Sequence, residues 1–245
     1  MTTRRDVPRL AALTWPEAAA RFREDPRMIW PVGSIMQHGP HLPLDTDVRI
    51  STALAEGIGA RYGVLVGPTF PFGAGSEVDH SYAGGAILAH KTLHRALNDI
   101  VAGWVDQGLR DLVLITSNGF GPHYRALVSV MGGDLRIRAV DANVVDTSPA
   151  LRTPRAPERG GEIETSLMMY LFPNSVRLDA IEDADLDRVA HGDRLEGTEP
   201  VPLRGSSGVI GRPTAATAGK GKRLYEYLVE YIGERLFGRE APEGE

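Results

Sequence analysis

His38 and His41 are separated only by Gly39 and Pro40, and Asp47 follows shortly after. Imidazole and carboxylate together suit a divalent cation such as zinc or manganese. Pro40 sits between the two histidines, so helical geometry cannot be assumed for them. The spacing alone therefore leaves two readings open, a metal site or a polar loop with incidental histidines. A second group of acids lies in GGEIETS, where Gly160 and Gly161 allow close backbone approach and Glu162 and Glu164 open a helix. Those carboxylates could serve chemistry, or they could be ordinary negative charge at a helix N-terminus. Asn118-Gly119 follows an apolar run and reads as a strand-exit turn.

The elements that must position these residues alternate. Thr14 can cap a first helix, with Pro16 and Glu17 in its first turn. Met28 to Ile35 reads as a buried strand, followed by a polar loop from Met36 to Asp47. A helix over Thr46 to Arg61 places Ile50, Leu54 and Ile58 on one face. Val64 to Phe70 is a second strand, and Gly73 to Gly85 a glycine-rich loop. Lys91 to Gln107 is a helix, Leu112 to Thr116 a nearly continuous apolar strand, Pro122 to Met131 a helix and Arg136 to Val145 a strand. Thr147 to Gly161 reads as a loop, Glu162 to Leu171 as a helix, and Asp179 to Val201 as an acidic, weakly patterned stretch. Gly219 to Phe237 is a closing amphipathic helix. This alternation predicts an α/β fold, a mostly parallel sheet layered between helices, in a single domain over residues 1–245. Ligands of such sheets bind where loops leave the carboxyl ends of strands. Met36 to Asp47 and Ser117 to His123 both leave such ends, so they are expected side by side.

Composition narrows the function classes. The chain has 245 residues, 42% of them hydrophobic, and a formal net charge of -5. It has no basic excess with which to neutralise phosphates, so nucleic acid is not an expected partner. Cysteine is absent, which excludes disulfides, thiolate zinc sites and a cysteine nucleophile. The amino-terminal MTTRRDVPRLAAL lacks the apolar run of a signal peptide, and no stretch approaches a bilayer-spanning length. A soluble, cytoplasmic protein is the expectation.

Together these segments resemble the creatininase family of amidohydrolases. PVGSIMQHGPHLPLDTD, Pro31 to Asp47, is close to the family pattern P-V-G-S-x-E-Q-H-G-P-H-L-P-x-x-T-D. His80 with Gly84 in DHSYAGG, Asn118-Gly119, GEIETSLMMYLFP from Gly161 and GVIGRPTAATAGKGK from Gly208 follow in the family's order. The resemblance implies a layered α/β domain, a homo-oligomer (often a hexamer), and two adjacent divalent metals whose bridging water attacks an amide or lactam carbon.

Carried over residue by residue, the resemblance implies an altered site. One family metal is held by the glutamate of the first motif, the shared aspartate and the histidine of N-G-H. Here the glutamate position is Met36 and the histidine position is Phe120, neither of which can replace its counterpart as a ligand for zinc or manganese. The other metal is held by His38, Asp47 and Glu164, all present. The histidine of H-A-G-E, a proton-transfer residue in related enzymes, is Arg159. One metal site is thus deleted and the other is retained, and decay of an unused site would leave the same pattern.

Three functions follow. In the first, His38, Asp47 and Glu164 hold one zinc or manganese ion, and Glu162, His41 or His123 moves protons. Arg159 binds a substrate carboxylate or phosphate, Met36 and Phe120 form an apolar wall, and His80 and Asn118 complete the substrate site. The chemistry is hydrolysis of a C–N bond in a small amide, lactam or cyclic substrate. In the second, no metal is bound and the retained residues act as acids and bases in a lyase, cyclase or isomerase. In the third, the chain is a non-catalytic member of the family.

Overall fold

The structure is a computed structural model that describes residues 7–151, 158–183 and 207–238. Four strands, β1 (Arg27–Pro31), β2 (Leu65–Val66), β3 (Asp111–Thr116) and β4 (Arg136–Asp141), form one parallel sheet in the order β2-β1-β3-β4. Among the described residues seven α-helices surround it: α1 (Trp15–Glu24), α2 (Thr46–Tyr62), α3 (His90–Asp106), α4 (Gly121–Val128), α5 (Ser148–Leu151), α6 (Glu162–Leu171) and α7 (Ala218–Phe237). The expected α/β architecture with a parallel sheet is present.

Strand alternation explains the layering. Ile29, Val113 and Ile115 point to one face, where they meet Ile50, Leu54 and Ile58 of α2, Leu167 of α6 and Leu228 of α7. Met28, Trp30, Leu112 and Leu114 point to the other, against Leu93, Leu97 and Val101 of α3 and Leu127 of α4. Strands buried on both faces read as continuous apolar runs, as β3 does. The amino-terminal cap of α1 forms as expected, with the Glu17 carboxylate accepting from the Thr14 amide and hydroxyl, each at 2.7 Å.

Boundaries differ where local hydrogen bonding overrides the apolar pattern. β1 ends at Pro31, four residues before the expected Ile35, because the chain turns out of the sheet. The Val32 amide still donates to the Ile115 carbonyl, but the Gly33 amide donates to Phe70 across the sheet end, both at 2.9 Å. β2 is two residues long rather than reaching Phe70, since Pro31 of β1 has no amide to donate across the pair, and its carbonyl is taken by the Phe70 amide at 2.9 Å. β4 stops at Asp141, whose carboxylate accepts from the Asn143 amide at 2.9 Å and starts a 3-10 turn over Ala142–Val144. α4 ends at Val128, and the Met131 amide is taken by the Asn98 side chain at 2.9 Å. The loop expected over 147–161 contains α5, and its residues 152–157 lie outside the described residues, as does most of the acidic stretch 179–201.

The strand order has one switch point. From β1 the chain moves to β2 on one side and then returns to β3 on the other. Loops leaving β1 and β3 there diverge in opposite directions, which opens a crevice at their carboxyl ends. The candidate site occupies that crevice.

Candidate metal centre

The loop after β1 supplies the first donors. The Met36 amide donates to the Leu44 carbonyl at 3.0 Å, closing the loop on itself just before α2 begins. His38 lies inside that closure and Asp47 in the first turn of α2, both fully buried. His38 Nδ1 faces the Met36 carbonyl oxygen at 3.0 Å. A carbonyl only accepts, so Nδ1 carries the proton and donates. That fixes Nε2 as the nitrogen facing Asp47 Oδ1, at 2.9 Å. An imidazole anchored through one nitrogen presents the other as a ligand atom.

Asp47 is held from its other side. Its Oδ2 accepts from the Ser34 hydroxyl and, at 3.2 Å, from the Asn118 side-chain amide, which also donates to Ser34 Oγ at 2.7 Å. The loops after β1 and β3 therefore meet, as the fold class predicts. Burial would raise the Asp47 pKa, but the charge and hydrogen bond of His38, the charge of Arg159 and the Ser34 hydroxyl hold it below its ordinary value. Burial likewise opposes protonation of His38, yet the adjacent Asp47, with Glu164 behind it, raises its pKa.

Glu164 comes from α6, whose amino terminus is capped by Glu158. That carboxylate accepts from the Ile163 and Glu164 amides at 2.7 and 3.2 Å. The Glu164 side chain accepts from Asn143 Nδ2 at 3.0 Å and from the Gly160 amide at 2.6 Å. Gly160 has φ +59, and a Cβ there would collide with the His38 carbonyl oxygen. Gly160→Ala is expected to cost about 1–2 kcal/mol from its left-handed backbone alone. Because it displaces both His38 and Glu164, it should also weaken divalent-ion binding, read by titrating metal into the folded variant.

His38, Asp47 and Glu164 each offer a ligand atom, and these atoms lie within 4.8 Å of one another, all buried. One imidazole nitrogen and two carboxylate oxygens with an open position form a chemically adequate set for zinc or manganese. The residues present fit one such ion. They do not fit a second. Met36 is fully buried, and its sulfur takes contacts from Asn118 Nδ2 at 3.5 Å and Arg159 Nη1 at 2.6 Å. Phe120 is half-buried at the N-cap of α4, with its amide bonded to Asn118 Oδ1 at 3.0 Å.

The remaining residues singled out from the sequence fall in different places. His41 is fully buried, and its Nε2 lies 2.8 Å from the Thr165 hydroxyl, which itself donates to the Gly160 carbonyl. His41 Nε2 is then the donor, and Nδ1 has no hydrogen-bond partner among the described residues. Burial, reinforced by the charge of His38, pushes its pKa down to about 4. His123 has both nitrogens engaged, Nδ1 accepting from the Ala74 amide at 3.1 Å and Nε2 facing Thr116 Oγ1 at 3.0 Å. Burial holds its pKa at about 4, so it is a neutral strut at the end of β3. Glu162 is two residues from Glu164 on a helix and therefore points elsewhere. Its carboxylate pairs with Lys220 at 2.6 Å on α7. His80 is exposed in a 3-10 turn.

Sequence reasoning missed Ser34, Asp79, Asn143 and Thr165. Ser34 carried one faint signal, a hydroxyl at the end of an apolar strand. Asn143 carried none, because only the turn after β4 brings it to Ser117 and Glu164.

The creatinine amidohydrolase family model, Creatininase, matches residues 11–236. The chain is 32% identical over 227 residues to the mycofactocin precursor peptide peptidase of Mycobacterium tuberculosis, covering 86% of this chain and 84% of that protein. It is 32% identical over 197 residues to the creatinine amidohydrolase of Pseudomonas putida, covering 70% and 74% respectively. A solved structure designated "Creatininase Mn" superposes with a TM-score of 0.80 at 24% identity, covering 96% of this chain and 100% of that one.

Proposed function

This chain belongs to the creatininase family, and on that premise we propose that it is a one-metal hydrolase of C–N bonds in small amide, lactam or cyclic substrates. The observation that carries the reading is the buried His38, Asp47 and Glu164 cluster, with its ligand atoms within 4.8 Å. The tautomer of His38 supports it, since Nε2 faces carboxylate oxygen and needs either a cation or a proton between them. A divalent ion held there would polarise a substrate carbonyl and lower the pKa of a bound water. Relatives named for peptide and creatinine hydrolysis agree with C–N bond cleavage, and a manganese creatininase shares the fold.

The chain's own residues divide the work. His38, Asp47 and Glu164 are the ligands. Of the three proton-transfer candidates, His41 is the one whose free nitrogen, Nδ1, has no partner among the described residues. Glu162 is committed to Lys220 and His123 to Ala74 and Thr116. In this reading Met36, Phe120, Asn118 and His80 serve substrate binding. Among the described residues no helix is long and apolar enough to cross a membrane. In the same reading the chain acts in the cytoplasm as a homo-oligomer, a hexamer as the resemblance implies.

One observation favours a second reading. His38 Nε2 and Asp47 Oδ1, 2.9 Å apart, also suit an imidazolium–carboxylate pair, which could serve acid–base chemistry without metal. The two readings separate on chelation. Turnover of an amide and lactam panel, followed by product mass spectrometry, is expected to fall to background in dipicolinate and to return with zinc or manganese. Turnover that survives exhaustive chelation would establish the metal-free reading instead.

A further inference from the structure

We infer that the Arg159 guanidinium is the second cation of this centre, holding the ground beside Asp47 that another divalent ion would need and so limiting the chain to one metal. The inference rests on the one-metal reading of His38, Asp47 and Glu164.

Arg159 Nη1 packs against Met36 Sδ at 2.6 Å. Asn118 Nδ2 touches the same sulfur at 3.5 Å and donates to Asp47 Oδ2 at 3.2 Å. Guanidinium, thioether and carboxamide thus form a continuous wall ending on the carboxylate edge that does not face His38. The backbone of Arg159 is fixed by a two-way bridge to Ile210, with hydrogen bonds of 2.9 and 2.8 Å. The side chain is therefore aimed by the fold.

Two carboxylates, Asp47 and Glu164, are buried within one small cluster. A single divalent ion and Arg159 supply three positive charges against these two and Asp79, which lies 3.7 Å from Arg159 Nη1. That balances with His38 neutral, as a ligand must be. The Asp79 Oδ2 atom is already engaged by the Ser76 amide and hydroxyl at 2.8 and 2.7 Å, so only its Oδ1 faces the guanidinium. The charge of Arg159 is felt at both His38 and Asp47. A second divalent ion would have to approach against it. Arginine cannot give up its proton to relieve that repulsion.

The remaining guanidinium donors have no hydrogen-bond partner among the described residues. They suit a substrate oxygen, so the guanidinium would serve as a fixed electrophilic pole beside the metal.

The test restores the two replaced ligands with and without the arginine. Wild type, Met36→Glu/Phe120→His and Met36→Glu/Phe120→His/Arg159→Gln are stripped, loaded with zinc, passed through gel filtration and analysed for zinc per chain. The expected ratios are one, one and two. Two equivalents in the variant that keeps Arg159, or one in the folded triple variant, would overturn the inference. Zero in wild type overturns the one-metal reading instead, while the step between the two variants still reports on Arg159. Should the triple variant fail to fold, Arg159→Gln alone decides. Removing a neighbouring cation is expected to tighten zinc binding by at least about tenfold, and unchanged or weaker affinity would refute the role.

Discussion

Asp47→Asn is expected to abolish metal binding while leaving the fold intact. Asparagine has the shape of aspartate, and its carbonyl oxygen can still accept from Ser34 and Asn118, so the crevice keeps its hydrogen-bonded wall. What it loses is the charge and the oxygen facing His38 Nε2. Replacing residues that merely support a ligand costs about 10–100-fold in affinity. Loss of a ligand carboxylate should exceed that range, and turnover should fall by at least the same factor. Metal titration monitored by calorimetry, alongside circular dichroism of the metal-free protein, checks both halves. A variant that binds zinc as tightly as wild type would remove Asp47 from the centre.

The second large effect is a loss of stability in mild acid. His123 stays neutral in the fold down to about pH 4, whereas the unfolded chain protonates it near its ordinary value of 6.5. Between those values the unfolded state binds more protons, so stability is full above pH 6.5 and falls as the pH drops towards 4. The displacement corresponds to about 3 kcal/mol for His123. His41, also held at about 4, adds to it with the same sign. The His38 and Asp47 pair does not oppose this. The raised His38 pKa changes stability only above the ordinary histidine value, and the lowered Asp47 pKa only below the ordinary carboxylate value. Urea midpoints of metal-free protein at pH 6.5 and pH 4.5 measure it. Equal midpoints would show that neither histidine is buried as described.

The layered fold was legible because its signals are local and repeated. β3 is one apolar run, and α3 carries Leu93, Leu97 and Val101 at successive turns. Strand ends were not legible, because the missing amide of Pro31 and the redirected amide of Gly33 end the ladders while apolar residues continue past them. The candidate ligand set of His38, Asp47 and Glu164 was readable through the family resemblance. The contacts that hold them were not, since Gly160 lies against His38 and Asn118 reaches Ser34 only in the folded chain. Glu162 shows the limit of motif reading. It sits beside Glu164 in sequence, yet helical rotation sends it to Lys220.

Met36 shows the same limit from the other side. Its identity marked a departure from the family pattern, but its sulfur gives no sequence hint of the arginine packed on it. Its backbone also matters, because the carbonyl of Met36 orients the imidazole of His38. The position thus bears on the centre through its backbone, whatever its side chain.

The most direct test of the one-metal account is elemental analysis of protein purified without chelators, combined with anomalous diffraction from its crystals. The account predicts about one equivalent of zinc or manganese per chain and a single anomalous peak between His38 Nε2, Asp47 and Glu164. Metal-free protein with no peak, or two adjacent peaks with one beside Met36, would contradict it.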